Sequence, residues 1–315
     1  MKRWIPWVGV AISLSCIAFF VVSTAPHWHA MSTAHWSART WVLVVLALGI
    51  YVATYASATL AWQLSLRIAG RAVQYGKLAR ILLLSQFAKY LPGNVGHHVG
   101  RVVLARRIGL PIDSVVISMA LDTMILLAAA VACSVPAFAL MLSLLQTHGA
   151  SHGRIALAAL ALLALALLVL ALVMVLVPVA RREILRHARL VGQLCDRGTL
   201  PLFAQGWFVH SLAFLFGATA LYLLCSALDG SFSAAWLSVL GVYTVAWLLG
   251  FVMPGAPAGI GIREVALLVG LSPLYGEQQA MAAAATLRLV TTSGDALVFL
   301  FALVRWRKNE ESVAT

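Results

Sequence analysis

Leu91-Pro92-Gly93-Asn94-Val95-Gly96-His97-His98-Val99-Gly100-Arg101 and Met253-Pro254-Gly255-Ala256-Pro257-Ala258-Gly259-Ile260-Gly261-Ile262-Arg263 are two copies of one pattern. Each sets Pro-Gly in an apolar stretch and an arginine nine residues after the proline, with mostly small residues between. Proline removes an amide hydrogen and glycine favours turns, so each copy breaks a helix. Unpaired backbone groups are intolerable in lipid but tolerable beside a polar cavity, so such a break marks a cavity wall. After each Pro-Gly a new half-helix can start, its N-terminus offering free N–H groups and partial positive charge to a phosphate or carboxylate. Asn94 is a cap for the first; the second has no polar cap, which leaves its amides more available to a ligand. The plainer alternative is that Pro-Gly marks two loops.

The rest of the chain says that these breaks lie in a membrane. Of 315 residues, 62% are hydrophobic and 10% charged, against about 25% charged in an average soluble domain. Apolar runs near or above the roughly 20 residues that span a bilayer cover Ile5 to Ala25, Thr40 to Leu64, Ser114 to Leu145, Ile155 to Val177, Leu202 to Leu228, Ala234 to Val252 and Met281 to Val304. A single all-α transmembrane domain over residues 1–315 is expected, without a soluble catalytic domain. Lys2, Arg3 and the later Ser23-Thr24-Ala25 resemble a signal peptide, but the apolar run is too long, so an uncleaved first helix is expected. Cysteines at 16, 133, 195 and 225 have neither paired spacing nor a clustered histidine, which supports no zinc site or disulfide framework.

The net charge of +12 would suggest nucleic acid in a soluble protein; here the basic residues sit between apolar spans and orient the chain. With a cytoplasmic N-terminus, two crossings put Arg67, Arg71, Lys77 and Arg80 inside. Arg101, Arg106 and Arg107 belong inside too, and the Ile81 to Leu91 stretch between the groups satisfies both only as a re-entrant hairpin tipped by Leu91-Pro92-Gly93-Asn94. Three crossings follow, the second leading inward to Arg181, Arg182, Arg186, Arg189 and Arg197. The last helix ends at Arg305, Arg307 and Lys308, so Ala234 to Leu271 enters and leaves from outside, broken at Met253-Pro254-Gly255. Of the 22 Lys and Arg only Arg39 and Arg154 are then external. The expectation is about six full transmembrane helices plus two re-entrant hairpins, in the inner (plasma) membrane with both termini cytoplasmic. Ser114 to Leu145 is long enough for one helix or for two around Pro136. Three spans between the copies invert the second relative to the first, the arrangement of transporters whose discontinuous helices meet near the bilayer midplane.

With both motifs in place, Gln86-Phe87-Ala88-Lys89-Tyr90-Leu91-Pro92-Gly93 with Arg101, and Pro254-Gly255 leading to Gly259-Ile260-Gly261-Ile262-Arg263-Glu264, the sequence resembles the lysylphosphatidylglycerol synthase transmembrane family, a flippase-like membrane domain. The resemblance covers essentially the whole chain and implies translocation of a lipid with a polar headgroup between leaflets. The sequence ends at Thr315 without a transferase domain, so lipid aminoacylation is not expected. After the first Pro-Gly, aromatic or glycine residues are common in the family, whereas Asn94 and His97-His98 stand here.

A charged side chain at the centre of a transmembrane helix costs roughly 2.5 to 3.5 kcal/mol, so each one at depth is a functional candidate. Lys89, Asn94, Arg101, Arg263, Glu264 and Arg288 are the candidate substrate-binding residues: either they flank a phosphate, with Glu264 orienting Arg263 or the loop, or they snorkel and pair structurally. Asp122, Asp295, Pro92, Gly93, Pro254 and Gly255 are candidate structural or coupling residues. Arg288 and Asp295 share a helix face and can be bridged by a third group; Asp122 needs a partner from another helix, with Lys89 or Arg288 as candidates. His97 and His98 either read a headgroup or face water. His27, His29 and His35 form a loose cluster without Cys or carboxylate, and neither a metal nor a cofactor is expected. Asp113, Asp196 and Asp229 form no aqueous-facing pair, so no enzyme is expected. A membrane phospholipid or polyprenyl-linked lipid is the expected partner, with a lipid-synthesising enzyme a possible companion and no nucleic acid. The alternative is an ion- or proton-coupled small-solute transporter on the same inverted repeat.

Overall fold

A computed structural model describes residues 37–90, 96–147, 198–229, 236–253 and 257–314. Outside them lie the expected spans Ile5 to Ala25 and Ile155 to Val177, both Pro-Gly pairs (Pro92, Gly93, Pro254, Gly255), Asn94 and the three N-terminal histidines. The described residues fold as helices α1 (Ala38–Ile68), α2 (Tyr75–Gln86), α3 (Gly96–Arg107), α4 (Ile112–Thr147), α5 (Leu200–Asp229), α6 (Trp236–Val252), α7 (Ile262–Tyr275) and α8 (Glu277–Ala314). Short 3-10 turns occupy Phe87–Tyr90 and Pro257–Gly259, and no strand occurs among the described residues.

Helix length divides these elements into two kinds. Four helices, α1, α4, α5 and α8, are long and apolar enough to cross a membrane. At about 1.5 Å per residue, the 31 residues of α1 exceed the roughly 30 Å hydrocarbon core. The elements around the breaks are shorter: 12 residues each in α2 and α3, 17 in α6 and 14 in α7. At that rise they reach about 18, 26 and 21 Å, so none spans alone. Ser114 to Leu145 is settled as one helix, because α4 runs unbroken through Pro136.

Side-chain placement is inverted relative to a water-soluble protein. Trp41, Val42 and Val45 of α1 and Leu297, Leu300, Phe301 and Val304 of α8 are exposed, while Asp122, His210, Glu264 and Asp295 are buried. Lipid tails replace water outside, so burial of apolar surface does not hold these helices together; close van der Waals packing and interior polar bonds do. The packing relies on small residues: Ala280, Ala283 and Ala284 of α8 sit in one cluster with Ala220, Leu221 and Leu224 of α5 and Leu268 and Leu271 of α7. A second cluster joins Trp62 and Leu66 of α1 to Leu78, Ile81 and Leu82 of α2 and to Ala105 of α3.

The two broken pairs close on each other. α2 packs on α3, α6 on α7, and the turns Phe87–Tyr90 and Pro257–Gly259 touch. Within the second break Ala258, Gly259 and Gly261 all adopt positive φ, at 51°, 70° and 85°. Only glycine does this without a steric penalty, and two of the three positions are glycine. The left-handed stretch reverses the chain and starts α7 at Ile262.

Candidate functional site

Where the two breaks meet, they enclose a cavity of about 250 Å³. The first break contributes Lys89 from the turn and His97, His98 and Arg101 from α3; the second contributes Ala258, Arg263 and Glu264. Arg288 of α8, Asp122 of α4 and His210 of α5 complete the polar wall, while Trp247 and Phe251 of α6 and Leu126 of α4 are apolar lining. Eight residues singled out by sequence, Lys89, His97, His98, Arg101, Asp122, Arg263, Glu264 and Arg288, thus line one cavity; Asp295 adjoins them, and Asn94 lies outside the described residues.

Three separate polar centres distribute the charge. Asp295 is wholly buried and saturated with donors: Lys89 Nζ stands 2.7 Å from Oδ2, and Tyr51 OH donates to Oδ1 at 2.8 Å. Tyr55 and Tyr90 also donate to it, to Oδ1 and Oδ2. Gly294 makes this possible, because a Cβ there would lie 2.7 Å from the Tyr51 ring. Lys89, by contrast with the expectation, does not serve Asp122; Asp295 neutralises it.

Asp122 takes its partners from α5 and α3. His210 Nε2 lies 3.0 Å from Oδ1 and Arg101 Nη1 3.9 Å from Oδ2, with the Arg101 guanidinium 5.3 Å from the Trp62 ring centroid. Neither expected partner, Lys89 or Arg288, fills this role, since both are held by nearer carboxylates. Asp295 and Arg288 share a helix and are bridged, as expected, by a third group: Tyr90 donates to Asp295 Oδ2 and lies with its ring centroid 6.0 Å from the Arg288 guanidinium.

Glu264 forms the third centre. Its Oε2 accepts from the Gly261 N–H at 2.7 Å, and Oε1 lies 3.5 Å from Arg288 Nη1, which also donates to the Ala258 carbonyl at 3.4 Å. One expectation changes here. The start of α7 is capped by Glu264 three residues in, the reach-back half of a capping box, so the Gly261 amide is occupied. Of the two roles expected of Glu264, orienting Arg263 or the loop, the contacts are with the loop, and with Arg288.

Arg263 is different from the other cations. Among the described residues it meets no carboxylate at ion-pair distance; its guanidinium sits 5.7 Å from the Trp247 centroid, and its buried Nε has no hydrogen-bond partner. The side chain runs between Gly250 and Gly259, where an added Cβ would stand 2.5 Å from Arg263 Cγ and 2.9 Å from Nε respectively. An arginine at membrane depth with no carboxylate beside it among the described residues is costly, and a bound anion would offset that cost.

The sequence pattern of the lysylphosphatidylglycerol synthase TM region matches residues 7–298. The chain belongs to that family. The match takes in both breaks and every lining residue of the cavity. Comparison with curated proteins gave no match. Membership places the chain among membrane proteins of the lysylphosphatidylglycerol synthase type and is consistent with a lipid as its substrate.

His210, Tyr51, Tyr55, Tyr90 and Trp247 were not singled out in the sequence. His210 carried a usable signal, an ionisable residue within an apolar run, the same rule that selected Asp122. Tyr51 and Tyr55 are four apart and so share a helix face, a signal that apolar periodicity conceals.

Proposed function

We propose that this protein translocates a phosphate-bearing lipid or lipid-linked precursor between membrane leaflets, without catalysing a reaction on it. The carrying observation is Arg263, a half-buried arginine lining the shared cavity with a buried, unpartnered Nε and, among the described residues, no carboxylate at ion-pair distance. Charge-assisted bonds from guanidinium to phosphate are strong and directional, so this is a natural seat for a headgroup. In this reading the two breaks are opposed re-entrant hairpins of an inverted repeat, and the acyl or prenyl tails stay in the bilayer while the phosphate passes along Arg101, Arg263, Arg288 and Lys89. The protein resides in the plasma membrane, inner where there are two, with both termini cytoplasmic. A lipid-synthesising enzyme is its natural companion.

The Asp122–His210 pair favours a second reading, a proton-coupled small-solute transporter, because both members can exchange protons. The test separates the two. In liposomes containing the purified protein and fluorescently tagged lipids, a surface quencher reports movement between leaflets; we expect movement with the wild type and its loss with Arg263→Ala. Solute uptake or conductance with no lipid movement would overturn the lipid reading.

A further inference from the structure

The charge and hydrogen-bond inventory of the cavity goes further and specifies a headgroup, on the reading that a lipid phosphate occupies it. Among the described residues, Lys89, Arg101, Arg263 and Arg288 of the lining are set against Asp122 and Glu264 of the lining and Asp295 behind Lys89, which leaves one positive charge in excess when the histidines are neutral. Arg101 Nε, Arg263 Nε and Arg288 Nη2 are buried without partners, and all three can only donate. Gln86 Oε1 and His97 Nδ1 are buried and unpartnered too, on the first-break side of the same cavity. An amide oxygen accepts, and an imidazole nitrogen accepts or donates according to tautomer, so these two suit hydroxyl groups and not a second anion. His97 packs against His98, with ring centroids 3.9 Å apart and the ring planes tilted by 39°.

We propose that the cavity selects a lipid headgroup of one net negative charge: a phosphodiester on Arg263 and Arg288, and an uncharged hydroxyl-bearing group on Gln86 and His97. A single phosphodiester cancels the excess charge. A zwitterionic head brings an ammonium that restores it, and an aminoacylated, cationic head doubles it; uncompensated charge at this depth is strongly disfavoured.

The test is native mass spectrometry of the full-length protein in detergent, titrated with phosphatidylglycerol, phosphatidylmethanol, phosphatidylethanolamine, lysylphosphatidylglycerol and soluble glycerol 3-phosphate. Phosphatidylglycerol should bind at least about tenfold tighter than the zwitterionic and cationic lipids. It should bind about threefold tighter than phosphatidylmethanol, which has the same charge and no hydroxyl. Gln86→Leu or, independently, His97→Phe should bring phosphatidylglycerol down to the level of phosphatidylmethanol without weakening the latter. Equal binding of the ethanolamine or lysyl lipid overturns the charge rule, and an undiminished preference in both variants overturns the hydroxyl end. Glycerol 3-phosphate binding as tightly as the lipid, or no lipid binding at all, overturns the lipid site. Selective binding without movement between leaflets would sink the transport reading and leave this one standing; movement without headgroup selectivity would do the reverse.

Discussion

Arg101 and Arg263 occupy equivalent places in the two copies of the motif, nine residues after a proline, yet the fold treats them differently. Arg101 has Asp122 within 3.9 Å, and Asp122 has His210 as well. Arg263 has Trp247 and two glycines around it and, among the described residues, no carboxylate at ion-pair distance. Lys89, also from the first break, is bound into the Asp295 centre. Both breaks are therefore tied to the helices around them by ion pairs, the first through Lys89–Asp295 and Arg101–Asp122 and the second through Glu264–Arg288. The two arginines of the repeat nevertheless differ: among the described residues Arg101 has a carboxylate beside it and Arg263 has none.

This comparison breaks most visibly at Asp295. Losing one member of a buried pair leaves the other uncompensated, at a cost of about 3–5 kcal/mol. Asp295→Asn should strand Lys89 and sharply lower folded yield and the thermal midpoint in detergent; Lys89→Met added to it should restore part of the loss. If Asp295→Asn is as stable as wild type, the first break is not anchored as described.

The next effect in size is on transport. Hydrogen bonds to charged groups contribute about 1.5–3 kcal/mol, so Arg263→Ala should slow lipid movement about ten- to a hundredfold. Its thermal midpoint should hardly change, because no counter-ion is stranded. Arg101→Ala should slow movement only about threefold, the scale of a loose ion pair whose carboxylate keeps its histidine. Equal losses from both would mean that the two copies share the ligand evenly.

The smallest effect is steric. Gly250→Ala puts a methyl against the Arg263 stem, so the guanidinium must shift. A displacement near 1 Å can cost about a hundredfold where alignment matters, but a flexible stem absorbs most of it, so a fewfold loss of transport is expected. No loss would show that Arg263 need not be held where the glycines hold it.

The long helices and the positions of the breaks were legible because apolar runs and Pro-Gly pairs are local signals. Lys89, Arg101, Arg263, Glu264 and Arg288 were legible because each is a charge where charge is costly. Their pairings were not. Tyr90 and Asp295 are 205 positions apart, His210 and Asp122 are 88 apart, and periodicity within a helix cannot choose a partner on another. The cap on α7 was missed for a related reason: no polar residue stands at the start of the helix, and the cap comes from Glu264 three residues in, which turns back to the Gly261 amide.

The central claim is that Arg263 is the seat of the headgroup phosphate. It is tested most directly by an experimental structure of the wild-type protein in nanodiscs of its own membrane lipids. The account predicts a lipid phosphate within hydrogen-bonding distance of the Arg263 guanidinium, in the cavity bounded by Trp247 and Arg288. A headgroup seated elsewhere, or Arg263 paired with a carboxylate of the protein itself, would contradict it.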